Sequence, residues 1–383
     1  MINLVNPSSP FLTDQLVMPP LGLMYLMSAL KKSGEEVQII DCATNMAAPD
    51  GDLYLTATTP QIDEAIKLAK NREYSVIGGP HASVNPEPLL EHFSAVVVGE
   101  GEYILPNIVK EKPHGIIKCP RIKKLDCLCF PDRSIAVNYH YYINKKRTTT
   151  MITSRGCNGH CAFCSKAVMN NQIYLRSIDN ILAEIDECMS LGFEGIQFYD
   201  DTIAINKKRL SELCQKIGKK VIWRCFCRAD QVNIDILKLM ADSGCHEILY
   251  GIESGSQKLL DNVDKGITVA QQERAILDTH RANIRVKASF IVGLPGETME
   301  TIEETAQFIR RTRPNDVDIN ILTVYLGTKI RKHPERYDLT FDKPSWFKGD
   351  QNKYQSTVRT SSLSKTDIEE ARLYLLSIAH EWR

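Results

Sequence analysis

The sequence predicts an α/β chain: an amino-terminal doubly wound, Rossmann-like parallel sheet domain, then a partial (β/α)6 TIM-like barrel and a short carboxyl-terminal extension. Three observations carry that prediction. Short apolar strands alternate with helix-like segments through residue 110, the pattern of a parallel sheet flanked by helices. A second alternation, six strand–helix steps of roughly 20–40 residues, begins at Thr148. Past residue 328 the periodicity gives way to polar sequence. The expected divisions are 1–110 for the sheet domain, 111–147 for a linker, 148–328 for the barrel and 329–383 for the extension.

In chain order, "INLVNP" is an apolar strand closed by a turn signal. "PLGLMYLMSALKKSG" reads as a helix with Pro at its start, Lys in its last turn and Gly34 as its stop. The strands "EVQIIDC" and "DLYLTAT" come next, followed by the helix "QIDEAIKLAKN" and the strand "YSVIGGPH". A short helix after Pro88 leads to the strand "AVVVGEGE". Ligands of such sheets bind beyond the carboxyl ends of the strands. Here those ends read "NPSSP", "TTPQ", "GGPHAS" and "GEGE", and their small residues let a large planar or phosphate-bearing ligand approach the backbone. Residues 111–147 lack periodicity and read as a linker, with Cys127 and Cys129 as packing residues.

The barrel strands are "TTMITS", "GIQFYDD", "KVIWRCFCRA", "EILYGIESG", "VKASFIVGLPG" and "DINILTVY". The clearest helix between them, "SIDNILAEIDECMSLG", puts Ile178, Ile181, Leu182, Ile185 and Met189 on one stripe and stops at Gly192. By analogy with complete barrels, the chemistry belongs at the carboxyl ends of these strands.

Bulk properties narrow the function. The 47 basic side chains equal the 47 acidic ones, which argues against a strongly basic nucleic-acid surface. The amino terminus does not read as a secretory signal, and the apolar run near it is broken by Pro19 and Pro20, so no membrane span is expected. A cytoplasmic location follows, where the 12 cysteines stay reduced and available to metal.

Three of those cysteines stand out. "SRGCNGHCAFCSK" holds Cys157, Cys161 and Cys164 in the spacing C-x3-C-x2-C, on the loop after the first barrel strand. Zinc needs four closed ligands, or three and a water, and no further Cys or His stands at a zinc-like interval. An iron–sulfur cluster held by three thiolates leaves one iron open to a substrate or cofactor.

This motif, with Phe163 before the last cysteine, resembles the signature of the radical S-adenosylmethionine (radical SAM) enzymes. "FYDD", "CRADQVN", "GCHEILYGIESGSQKLL", "DKGIT" and "FIVGLPGET" resemble, in order, strand-end segments of the branch with an amino-terminal cobalamin-binding-like domain. "LVNP", "MPPLGLMYLMSAL", "VIGGPHASVNPE" and "VVVGEGE" fit the same branch, so the resemblance covers residues 1–330.

The resemblance implies a [4Fe–4S] cluster on Cys157, Cys161 and Cys164, with S-adenosylmethionine (SAM) on the open iron, cleaved to a 5′-deoxyadenosyl radical. It implies SAM contacts from Phe163, Asp200, Asp201, Arg228, Glu253, Ser254, Gly293 and Pro295. It implies a cobalamin site at Gly78, Gly79, Pro80, His81, Gly99, Glu100 and Gly101. The cobalt-ligating D-x-H-x-x-G signature is absent, since Asp41 is followed by "CATNMAAP", and the crossover after that strand is short.

The activity implied is cobalamin-dependent methyl transfer to an unactivated carbon of a small-molecule or peptide substrate. A flavodoxin or ferredoxin would donate the electron. Radical SAM cyclisation, rearrangement, epimerisation or dehydrogenation is the alternative, and a non-catalytic Fe–S or zinc protein the remote one. Trp346 and Tyr354 are candidates to close over the substrate, and Cys225 and Cys227, on one face of a strand, are expected to be buried packing residues.

Overall fold

The computed structural model describes all residues except 11, 13, 43–47, 49, 166–171, 343–353 and 382–383. The chain forms two compact units. The first runs from Met1 to Tyr141 and takes in Tyr174–Arg176; the second holds the rest of the described chain from Tyr142.

Six parallel strands form the sheet of the first unit: β1 (Ile2–Asn6), β2 (Val37–Asp41), β3 (Leu53–Thr56), β4 (Ser75–Gly78), β5 (Ala95–Val98) and β6 (Gly115–Lys118). Their spatial order is β2-β1-β3-β4-β5-β6, which reverses direction between β1 and β3. The helices are α1 (Leu21–Lys32), α2 (Ile62–Ala69), α3 (Pro80–Val84) and α4 (Leu105–Glu111). Neighbouring residues of β1 point to opposite faces, and each finds a helical layer. Leu4 lies with Leu26 of α1 and Ile104, Leu105 and Ile108 around α4, while Val5 packs with Ile62, Ala65 and Ala69 of α2 and Ala82 of α3. Burial on both faces explains why these strands are nearly continuous apolar runs. α1 starts without a side-chain cap and ends where Gly34, at φ +87°, turns the chain.

The segment read as a linker from residue 111 contributes β6, paired in parallel with β5. Its signal is weak because the strand is four residues long and only half-buried. Beyond it, Ser28 Oγ donates to the Phe130 carbonyl at 2.7 Å and Lys31 pairs with Asp132 at 2.5 Å, so the connecting chain lies along α1. The shortened crossover after β2 falls mostly on residues 43–47 and 49, outside the described residues.

The second unit curls six parallel strands into an open barrel: β8 (Lys146–Met151), β11 (Gly195–Phe198), β12 (Ile222–Cys227), β13 (Cys245–Glu253), β14 (Arg285–Val292) and β15 (Asp316–Ile321). β7 (Tyr142–Ile143) adds an antiparallel edge to β8, and β9 (Ser154–Arg155) is a two-residue strand, as is β10 (Tyr174–Leu175), which belongs to the first unit. The barrel helices are α5 (Ile178–Ser190), α6 (Lys207–Ile217), α7 (Ile234–Asp242), α8 (Gln257–Asn262), α9 (Val269–Arg281) and α10 (Met299–Thr312). After them come α11 (Lys329–Lys332), the antiparallel pair β16 (Thr340–Phe341) and β17 (Val358–Arg359), and α12 (Lys365–His380). In α5 the buried stripe is Ile178, Ile181, Glu184, Ile185 and Cys188; Met189, expected on it, is 40% exposed.

Alternation along the strands separates two environments. Phe198, Trp223, Ile248, Tyr250 and Phe290 are fully buried on the helix side. Each contributes about 2 kcal/mol by leaving water, and Trp223 Nε1 keeps a partner by donating to the Ser243 carbonyl at 2.8 Å. The intervening residues line the concave face. Register sets Gln197, Arg224, Glu247 and Arg285 side by side. They join through Arg224 Nε to Gln197 Oε1, Arg224 to Glu247 at 3.2 Å and Arg285 to Glu247 at 3.7 Å. This polar floor lies toward the amino ends of the strands.

Gly255 follows β13 where α10 passes over it. A Cβ there would lie 2.6 Å from Phe308 Cβ and 2.8 Å from Thr305 Cα. Gly255→Ala is expected to cost about 3 kcal/mol by forcing the helix outward. Gly34→Ala, which meets no atom within 4 Å but keeps an unfavourable φ, should cost about 1 kcal/mol. Denaturant midpoints of the two variants check this order.

Candidate functional site

A cavity of about 360 Å³ opens at the carboxyl ends of the barrel strands. Cys157, Cys161, Phe163 and Cys164 line it from the loop after β8, joined by Asp200, Asp201, Arg228 and Glu253 from strand ends. None of the three cysteines is in a disulfide; Cys157 is buried and the other two are half-buried.

The loop is held from several sides. Thr153 N–H and Oγ1 and Ser154 Oγ all donate to the Asp200 carboxylate, and Gly156 N–H donates to Asp201 at 3.0 Å. Arg209 reaches the same turn, donating to the Thr153 carbonyl at 2.9 Å. Further along, Ala162 N–H bonds the Val263 carbonyl at 2.8 Å and Ser165 Oγ the Leu326 carbonyl at 2.8 Å. Burial pushes the Asp200 carboxyl above its ordinary range, while the Ser154 and Thr153 hydrogen bonds pull it back. Asp200 therefore holds the loop in place, and Asp201 and Glu253 are the carboxylates that remain along the cavity wall.

Glu253 is strained and paired. It ends β13 at φ +67°, beyond a register shift, and its Oε1 accepts from Lys265 Nζ at 2.6 Å. Both side chains are at most 10% exposed. Strain of this kind is kept where the surroundings over-determine it, characteristically at binding sites. Gly251 gives the pair room, since a Cβ there would sit 2.6 Å from Glu253 Oε1.

Three predicted residues stand outside the cavity lining. Ser254 is buried and hydrogen-bonded with Thr305 at 3.1 Å. Gly293, at φ +84°, packs under Val358 and Ile368, and Pro295 offers its carbonyl to Asn262 Nδ2 at 2.9 Å. The turn they share is tied by Glu297, whose carboxylate accepts from the Gly293 N–H. Sequence reasoning missed Lys265, Tyr199, Phe226, Leu249 and Ser289, all in the lining. Strand alternation could have found the last four, and Lys265 lies in the quoted "DKGIT". Tyr199 and Phe226 meet edge to face at 5.4 Å. Cys225 and Cys227 are buried with sulfurs 3.9 Å apart, Cys227 also reaching the cavity lining; burial raises the Cys225 thiol pKa against its contact with Cys227, while the Cys225 contact and burial together raise that of Cys227. Trp346 lies outside the described residues, and Tyr354 stacks on Arg372 at 3.6 Å.

In the first unit an apolar groove runs along the strand ends, lined by Thr56, Gly78, Gly79, Gly99 and Gly101. Gly79 (φ +93°) and Gly99 (φ +101°) have no room for a side chain, because a Cβ would lie 2.5 Å from Thr56 Oγ1 or 2.7 Å from the Cys119 carbonyl. Pro80, His81 and Glu100 do not line the groove. His81 is 3% exposed with Nδ1 3.1 Å from Thr59 Oγ1, and Glu100 accepts from Ile122 N–H and pairs with Arg121 at 3.6 Å. Asp41, where the cobalt-ligand signature would begin, is buried against Tyr139 and Asn6.

Residues 151–309 match the radical SAM superfamily model, and residues 11–109 match the B12 binding domain model. The chain thus carries a radical SAM domain behind a B12 binding domain. Its two domains bring the cofactor set of a [4Fe–4S] cluster, SAM and cobalamin. The thiols beside a cavity of ligand size fit the cluster and SAM, while the glycine-lined groove at the strand ends of the first unit has a volume of about 60 Å³.

The chain is 29% identical to an uncharacterized methyltransferase of Pyrococcus horikoshii, covering 82% of this chain and 77% of that one. It is 28% identical to the anaerobic magnesium-protoporphyrin IX monomethyl ester cyclase of Cereibacter sphaeroides, covering 84% of this chain and 61% of the cyclase. Among solved structures it resembles the radical SAM methyltransferase TsrM of Kitasatospora setae, with a TM-score of 0.70, 16% identity and coverage of 91% and 81%. It also resembles the cobalamin-dependent SAM radical enzyme OxsB, with a TM-score of 0.76, 17% identity and coverage of 97% and 66%. These two likenesses show the shared fold. Among the described residues no helix is long and apolar enough to cross a membrane.

Glu297 offers a test of the turn. It is 1% exposed, and burial pushes its pKa from 4.5 up to about 8, against the Gly293 and Leu294 backbone hydrogen bonds. Between those values the folded state binds more protons than the unfolded one, so this group's contribution to stability falls as pH rises. Wild-type melting temperature should therefore drop more steeply than that of Glu297→Gln from about pH 5.5 to 7.5. Parallel slopes would contradict this.

Proposed function

We propose that this radical SAM enzyme is a cobalamin-dependent methyltransferase acting on an unactivated carbon. The observation that carries the reading is the combination of the three-thiol loop at the barrel mouth with a B12 binding domain in one chain. The relatives bear on the choice of reaction, since one is named a methyltransferase and so is the bacteriochlorophyllide d C-8(2)-methyltransferase of Chlorobaculum tepidum. When bound, the reduced cluster and SAM supply a carbon-centred radical, and cobalamin supplies a transferable methyl group.

In this reading Cys157, Cys161 and Cys164 would hold the cluster at the cavity where SAM would bind. Asp201 and Glu253 accept from its ammonium group, and Lys265 donates to its carboxylate. Phe163, Tyr199, Phe226 and Leu249 exclude water from the reacting centre. Gly78, Gly79, Gly99 and Gly101 let cobalamin approach the sheet. A flavodoxin- or ferredoxin-type protein donates the electron, and a reducing cytoplasm suits the free thiols.

A second reading keeps the radical step without methyl transfer. It is favoured by the likeness to the Cereibacter cyclase. Product analysis separates the two once a substrate is in hand. Methyl transfer requires S-adenosylhomocysteine alongside 5′-deoxyadenosine and a substrate gaining one methyl. 5′-Deoxyadenosine alone, from protein carrying no cobalamin absorbance, overturns it. Cys161→Ala should lose the bound iron and, with it, all SAM cleavage; retention of both contradicts the ligand assignment.

A further inference from the structure

We infer that Arg228 is a fixed counter-charge to the iron–sulfur cluster, set against the sulfur of Cys161, and that it makes the cluster easier to reduce. The inference rests on Cys157, Cys161 and Cys164 being the cluster ligands. It gives Arg228 a role other than the SAM contact that the sequence resemblance implies.

The guanidinium is oriented by its partners. Its Nε and Nη2 grip the Asp230 carboxylate side-on at 3.1 and 3.3 Å, and Nη2 also donates to the Lys265 carbonyl at 3.1 Å. That leaves Nη1, which lies 3.9 Å from Cys161 Sγ. The side chain is only 12% exposed, so its direction is set by protein rather than by water. Little donor capacity remains for the carboxylate of a bound ligand.

The cysteine loop is shaped around this group. Gly159, midway between Cys157 and Cys161, has no room for a side chain, because a Cβ would sit 2.8 Å from Arg228 Nη1 and 3.5 Å from Cys157 Sγ. Gly159 N–H in turn faces Cys157 Sγ at 3.4 Å. The sulfurs of Cys157 and Cys161 thus each have a nitrogen donor beside them, one from the backbone and one from Arg228.

Reduction adds an electron to a group already bearing thiolate charge. A nearby cation and N–H···S contacts stabilise the reduced form more than the oxidised one and raise the potential, most strongly where water is excluded. Arginine suits the role because it stays charged throughout the working pH range, and its planar fork can hold Asp230 while aiming a third nitrogen at sulfur. Arg228 is a positioning and tuning residue; it takes no part in bond making.

The test compares anaerobically reconstituted wild type, Arg228→Gln and Gly159→Ala by iron content, EPR-monitored redox titration and SAM binding. Both variants should reduce at a more negative potential than wild type, the first by losing the charge and the second by displacing Nη1. SAM affinity should change little in either. A loaded Arg228→Gln cluster with wild-type potential, or one whose only defect is weaker SAM binding, overturns the inference and returns Arg228 to a SAM-contact role. Should the Gln variant fail to load, Gly159→Ala decides by the same criterion. Wild type that assembles no [4Fe–4S] signal sinks the underlying ligand reading instead, so the two failures are distinct.

Discussion

Asp200 sits at the end of β11 with 2% of its surface exposed, and a carboxylate so placed is tolerable only because Thr153 and Ser154 surround it with donors. Those same bonds join the end of β8 to the end of β11 across the top of the barrel. The cysteine loop leaves the sheet from that junction, and Asp201 takes the next N–H, that of Gly156. The satisfied Asp200 carboxylate thus fixes where the loop leaves the sheet, and the bonds of Arg209, Ala162 and Ser165 secure it further along.

Parallel register then divides the concave face into levels. At the amino ends, Arg224 and Arg285 share the Glu247 carboxylate and Arg224 also donates to Gln197, forming a polar floor. Higher up, Tyr199, Phe226 and Leu249 give an apolar wall, with Glu253 and Lys265 at the rim. Ion pairs below and aromatic rings above leave the ligand-binding chemistry at the carboxyl end, where the fold's analogy with complete barrels expects it. The buried Glu253–Lys265 pair is a matched set of opposite charges, and buried ion pairs of this kind contribute little net stability.

Much of this was legible in the sequence. Both alternations of strand and helix are present, because strands covered on both faces are apolar enough to be seen without their partners. β6 escaped notice, being short, half-buried and dependent on β5 for its place. The cysteine loop was readable because its three thiols are close in sequence. The rest of the cavity was harder, since it is assembled from strands whose register no local pattern reveals. Asp200 and Ser254 resemble ligand residues by position, yet their oxygens are engaged by Thr153 and Thr305, contacts between residues far apart in the chain. Lys265 carries no sequence signal of its own, because its burial beside Glu253 is a tertiary fact.

The central claim is that the three thiols of one loop hold a cluster whose remaining iron is open to SAM. Mössbauer spectroscopy of the 57Fe-reconstituted, oxidised protein, recorded with and without SAM, addresses it directly. The account predicts that one iron of the cluster is distinguishable from the others and that SAM shifts this iron alone, toward higher coordination. A cluster whose irons are all equivalent and indifferent to SAM would contradict it.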